Sequence, residues 1–293
     1  MRPFSTLGRT YPYATALSVV ALFAGYFLLP LLLRGTVDMT GGTGQIAMTD
    51  LRPFIIGEGL LLMALLVVIA ALRWWRQSGL AVRADPAGLR LFGWIVIVPL
   101  LIVGGLWSYI ATQSDGTPRI PGFGTIALLA ILIGVFEETL FRGVLFHGLR
   151  QRLGPGAAVV MSALLFGGFH LVNAVFGQSL FLTVIQIATA TALGLFLAAI
   201  VLQTRTIWPA VALHALWDAY ALSVPLAVAI MPIDPQGPQP SPGVASLFIP
   251  ALLSLASFVI YRRWRRRNFA TVRGQDVDNS LWTQGNKGHR RRT

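Results

Sequence analysis

The 293-residue sequence predicts an all-α, polytopic membrane protein of about eight transmembrane helices, with both termini cytoplasmic. Three observations carry that expectation. Hydrophobic residues make up 55% of the chain, charged residues only 12%, and mean hydropathy is +0.69, which leaves too little polar surface for a fold facing water on all sides. Apolar runs near 20 residues recur along the chain, separated by short polar connectors. The basic residues sort by side: 19 of the 23 Lys and Arg fall on the amino-terminal side of the alternation and three (Arg34, Arg52, Arg119) on the other, the asymmetry expected of a cytoplasmic face.

Taken in order, the runs place spans at 14–33, 54–72, 91–111, 124–145, 157–176, 179–202, 207–230 and 243–261. The first has no small-x-small cleavage pattern before Arg34 and reads as a retained span. Residues 231–242 are Pro-rich and read as an external loop, and the polar tail beyond Phe269 reads as disordered. The expected organisation is residues 1–123 as three membrane helices with their loops, 124–230 as a membrane core of four helices, 231–268 as the external loop, last helix and basic flank, and 269–293 as a basic cytoplasmic tail. Trp74, Trp75, Trp208 and Trp264 stand near predicted boundaries, as in an aromatic belt. The absence of cysteine excludes a disulfide scaffold.

A net charge of +12 raises the question of nucleic acid, and its location answers it. Ten of the 23 basic residues lie between Arg262 and Arg292, beginning with a run at 262–267 directly after an apolar segment. Attraction to anionic lipid headgroups in the cytosolic leaflet follows, at roughly 1 kcal/mol per residue. No nucleic-acid motif accompanies the charge. Arg outnumbers Lys 22 to 1, which points to a GC-rich bacterial genome and hence to a bacterial plasma membrane.

Seven ionisable residues fall inside the predicted spans: Glu58, Glu137, Glu138, Arg142, His170, His214 and Asp218. A charge near the bilayer centre costs about 2.5 to 3.5 kcal/mol on insertion scales, so such groups face a protein interior or a wet cavity and mark function. Helical spacing puts Glu138 and Arg142 on one face, where they can pair, and turns Glu137 about 100° away, free to act as a base. Phe166 and His170 share a face of the fifth span, with paired glycines between them that permit close approach. His214 and Asp218 share a face of the seventh, where the acid can orient or charge the imidazole. A base, two imidazoles and a carboxylate suit hydrolysis by an activated water. The chain has no His-Glu-x-x-His pair, no Gly-x-Ser-x-Gly elbow and no Cys nucleophile, although Glu137, His170 and His214 suffice as zinc ligands if a metal is present. Glu58, near the outer end of its span, reads as a packing or snorkelling residue. His147 reads as interfacial, and Asn173 and Gln186 as interhelical hydrogen-bonding partners.

In order, on separate apolar helices, Glu137-Glu138-x-x-x-Arg142, Phe166-x-x-x-His170 and His214-x-x-x-Asp218 resemble the CPBP family (CAAX protease and bacteriocin-processing, or Abi) of intramembrane proteases. The resemblance covers about residues 120–222. It implies peptide-bond hydrolysis at a site opening toward the cytosolic leaflet, on a membrane-associated peptide or lipidated-protein substrate. By position, Glu137 with His170 would activate the water, His214 with Asp218 would stabilise the oxyanion, and Glu138, Arg142 and Phe166 would support them. Members that process prenylated proteins commonly have Asn where this chain has Asp218, and an ionised Asp cannot donate to an oxyanion. Both a zinc-dependent and a metal-free glutamate mechanism are consistent with the residue set.

Two other classes compete with the peptidase: a non-catalytic membrane scaffold or bacteriocin-immunity protein that keeps the motifs, and a proton-coupled transporter using the same groups as a relay. The transporter is disfavoured by the lack of matching halves. The depth of His170 tests the shared site. Counted from residue 157 it stands roughly 20 Å above the inner edge, so meeting Glu137 and His214 requires the fifth helix to be displaced inward by about two turns.

Overall fold

A computed structural model describes residues 8, 10–34, 51–113, 122–230 and 248–269. The expected external loop at 231–242 and the tail beyond Phe269 lie outside the described residues. Among the described residues there is no strand. The helices are α1 (Pro12–Arg34), α2 (Arg52–Leu72), α3 (Pro86–Gln113), α4 (Phe123–Glu138), a π-helical segment (Thr139–Leu145), α5 (Phe146–Phe169), the single turn α6 (Val172–Val175), α7 (Leu180–Thr204), α8 (Trp208–Ile230) and α9 (Phe248–Phe269). Five stretches in α2 to α8 are long and apolar enough to cross a membrane. That is the composition of a polytopic membrane protein.

The core is organised around α7, which packs on α5 and α9, while α4 and α3 pack on α8, α1 on α5, and α2 on α4. From Ala192 to Thr204 nearly every residue of α7 is buried. Small residues make this possible, because van der Waals contact, not the hydrophobic effect, holds helices together in lipid. A Cβ at Gly167 on α5 would collide with Thr191 Oγ1 on α7, so only glycine lets these two backbones meet. Gly194 plays the same part toward Ala163, whose Cα lies 3.1 Å from the position a Cβ would take.

Two local departures from regular helix shape the middle of the chain. The π-helical segment is wholly buried and runs α4 directly into α5; such segments recur at functional sites. Within α5, Gly154 adopts φ 72°, and Pro155 follows, lacking an N–H to continue the ladder. The arm that begins at Pro155 ends at Phe169, about two turns short of the expected end at residue 176, and His170 caps it. His170 therefore stands at a helix end. The following turn is tied to α7 by Asn173 Nδ2 donating to Gln186 Oε1 at 2.9 Å.

The chain between α2 and α3 closes one end of the bundle. Thr206 Oγ1 donates to Gly79 O at 2.8 Å and Trp208 Nε1 to Leu80 O at 3.0 Å. Of the tryptophans expected in an aromatic belt, Trp75 and Trp208 are exposed, but Trp74 and Trp264 are buried in the core. Proximity to a span boundary was not enough to keep those rings at the lipid interface. The basic run 262–267 is the last part of α9, and its Arg267 turns back onto the bundle, donating to Gln203 Oε1 at 3.3 Å and lying 3.7 Å from Asp85 Oδ1.

Asp85 caps α3. Its Oδ1 accepts from the backbone N–H groups of Ala87 and Gly88, 2.9 Å each. Against a desolvation that pushes it up, these donors and the charges of Arg267 and Arg205 hold its carboxyl below the usual value. Its stabilisation is therefore complete above the ordinary carboxylate range near pH 4 and is lost as pH falls through the lower folded value. Asp85→Ala is expected to cost about 1 kcal/mol at neutral pH, and thermal melts of the two proteins should converge in acid.

Candidate active site

Glu138 ends α4 with its side chain fully buried. A single oxygen, Oε1, accepts from two donors: Arg142 Nη1 at 2.8 Å and His214 Nδ1 at 2.8 Å. The first bond is the pairing that i,i+4 spacing predicts; the second joins α4 to α8. Glu138 paired with a guanidinium is an acceptor only, so the proton of this second bond belongs to Nδ1. That fixes the imidazole and turns Nε2 the other way.

Glu137 Oε2 and Asp218 Oδ2 both lie 3.6 Å from His214 Nε2. This is too long for a direct hydrogen bond and too short for a water between the two atoms. Both oxygens are buried without a hydrogen-bond partner. Buried polar atoms of this kind call for an occupant. Asp218 thus differs from expectation in one respect. The group that orients His214 is Glu138 on the neighbouring helix, whereas Asp218 stands with Glu137 on the open side of the ring.

Phe166 is the hinge between the motifs. Its buried ring meets His170 edge-on at 5.2 Å and His214 at 5.6 Å between centroids, and Arg142 Cζ lies 4.2 Å from the ring centre. The ring face satisfies a guanidinium whose Nε and Nη2 have no hydrogen-bond partner. His170 Nδ1 lies 3.0 Å from Phe166 O, which leaves its Nε2 available. The structure therefore gathers Glu137, Glu138, Arg142, His214 and Asp218 directly, and joins His170 to them through Phe166.

Among the described residues, no group of three His, Cys, Asp or Glu side chains is arranged to hold a metal ion. Glu137, His170 and His214 do not form such a group, although the bonds from Nδ1 to Glu138 and to Phe166 O leave Nε2 of each imidazole free to ligate. No step below is routed through a metal.

One acid that sequence position did not promote belongs in this description. Glu58 on α2 is half-buried, its Oε2 is buried without a hydrogen-bond partner, and the charges of Glu137 and Asp218 act on it. Counting residues from the end of an apolar run put it near water. The available sequence signal was that all three glutamates in the chain lie inside spans, where each carries the same insertion cost.

Comparison with known proteins finds one family. Residues 119–220, about a third of the chain, match the family model described as Rce1-like, type II CAAX prenyl endopeptidase. The matched segment contains all seven motif residues from Glu137 to Asp218. No curated protein and no solved structure matches significantly.

Removing Arg142 should be the most damaging single change in this region, because it leaves Glu138 buried without its counter-charge. Arg142→Leu is expected to cost roughly 3 to 5 kcal/mol, read as a lowered melting temperature in detergent. Arg142→Lys should recover part of the charge term but not the contact with Phe166.

Proposed function

From the premise that residues 119–220 are a segment of the CPBP/CAAX protease family, we propose that this protein is an intramembrane endopeptidase that hydrolyses membrane-associated peptides with a water activated by Glu137. The observation that carries the reading is the division of labour around His214: Glu138 occupies Nδ1, and two buried carboxyl oxygens without hydrogen-bond partners lie 3.6 Å from Nε2.

The proposed chemistry runs as follows. Glu137 Oε2 takes a proton from the water, and the water oxygen forms a bond to the scissile carbonyl carbon. His214, donating from Nε2 as the imidazolium while Nδ1 stays on Glu138, stabilises the oxyanion, and His170, whose Nδ1–H is taken by Phe166 O, presents Nε2 as an acceptor that orients the attacking water. The C–N bond then breaks, its electron pair stays on nitrogen, and Glu137 returns the proton to the departing amine. Arg142 and Glu138 do not touch the substrate; they keep Nδ1 protonated and hold the imidazole in one orientation. Asp218 requires a proton of its own to donate toward the oxyanion, and otherwise serves to stabilise the charged imidazole.

A peptide at the membrane is the substrate class that fits a site assembled from membrane helices. The reading expects Glu137→Gln to lower turnover of a peptide substrate by about 10²-fold or more while expression and melting temperature stay near wild type. A variant with full activity would remove Glu137 from the mechanism. An unchanged cellular phenotype in the same variant would favour a scaffold or immunity role. Prolonged treatment with a strong zinc chelator should leave turnover within about twofold. Loss of activity that added zinc restores would instead make Glu137, His170 and His214 the ligands of a catalytic metal.

A further inference from the structure

Glu58 lies on α2, outside the family-matched segment, between Gly57 and Gly59. A Cβ at either glycine would meet open space, so the helix is uncrowded on both sides of Glu58. The helix packs on α4, which ends in Glu137 and Glu138. Four carboxyl oxygens among the described residues are buried without hydrogen bonds: Glu58 Oε2 and those of the site already described, Glu138 Oε2, Glu137 Oε2 and Asp218 Oδ2. The mechanism above uses the last two and leaves the first without a task.

Amide hydrolysis has a requirement that suits it. The scissile nitrogen carries an N–H throughout and leaves as an amine with more, so it needs acceptors, whereas the carbonyl oxygen needs donors. His214, the donor toward the carbonyl oxygen, gathers with Arg142 and His170 around Phe166. Glu58 instead stands one turn beyond Ile55, and Glu137 one turn beyond Ile133, on helices whose Ile55 and Ile133 pack against one apolar cluster. We propose that Glu58 Oε2 accepts the N–H of the scissile amide and holds the departing amine. As the C–N bond breaks, nitrogen keeps the electron pair, takes the proton that Glu137 removed from water, and retains its contact with Glu58. This assignment rests on the endopeptidase reading and adds a substrate contact from outside the matched segment.

The test compares two substrates of one sequence, a peptide and its ester analogue, whose leaving oxygen carries no N–H. Full-length Glu58→Leu should lower the ratio of amide to ester kcat on the order of tenfold, with KM for the peptide little changed. Glu58→Gln, which keeps one acceptor oxygen, should fall between it and wild type. An unchanged ratio in a folded variant overturns the proposal, since a structural role or a general effect on Glu137 would slow both substrates alike. If Glu58→Leu does not fold, the ratio measured with Glu58→Gln decides. Placement is tested separately. The chain contains no cysteine, so Glu58→Cys combined with Glu137→Cys should be joined by a short thiol crosslinker, and failure to join overturns the proposal as well. A wild type that cleaves neither substrate defeats the endopeptidase reading; a wild type that cleaves both while the variants keep its ratio defeats only the role of Glu58.

Discussion

The structure depends on one buried carboxylate oxygen that accepts two hydrogen bonds. Glu138 Oε1 holds Arg142 on its own stretch of chain and His214 on α8, with no water in between. An ion taken from water into such surroundings loses several kcal/mol of hydration, and it stays ionised only where the geometry returns most of that. Arg142 returns charge, His214 returns a hydrogen bond, and Phe166 covers the part of the guanidinium that hydrogen bonds do not reach. Disturbing any of the three leaves the other two badly solvated. The carboxylate is therefore a constraint on helix positions as much as a supporting side chain of a reaction.

Close helix packing makes that constraint possible. The glycines on α5 and α7 bring Phe166 beneath both imidazoles, and the break at Gly154 and Pro155 sets where α5 ends. Because it ends at Phe169, His170 lies at the mouth of the cluster, one turn beyond Phe166. The buried π-helical segment connects Glu138 to Arg142 without releasing either from the interior. Local irregularities thus decide the placement of the chemistry, while the regular helices supply the walls.

Much of this was legible from the amino acids. Apolar run length gave a helical membrane protein, and the rarity of charge inside the runs singled out Glu137, Glu138, Arg142, His170, His214 and Asp218. Spacing of four residues identified the Glu138–Arg142 pair, because that relation is internal to one helix. The bond from Glu138 to His214 joins residues 76 positions apart, and no periodicity reports on it. Asp218, legible as a neighbour of His214 on one helix face, lies 3.6 Å from Nε2, while the shorter bond to Nδ1 comes from a neighbouring helix. For Glu58 the sequence gives only depth along an idealised helix, which says nothing about the face that α4 turns toward it.

The central claim is that Glu138 fixes which nitrogen of His214 carries a proton. Nitrogen-15 NMR of histidine-labelled protein, with His214 assigned through its substitution, measures this directly. The account predicts an Nδ1 that is protonated and strongly hydrogen-bonded, and that loses this signature when Glu138 is replaced by Leu. A neutral His214 with its proton on Nε2 and a bare Nδ1 would contradict it.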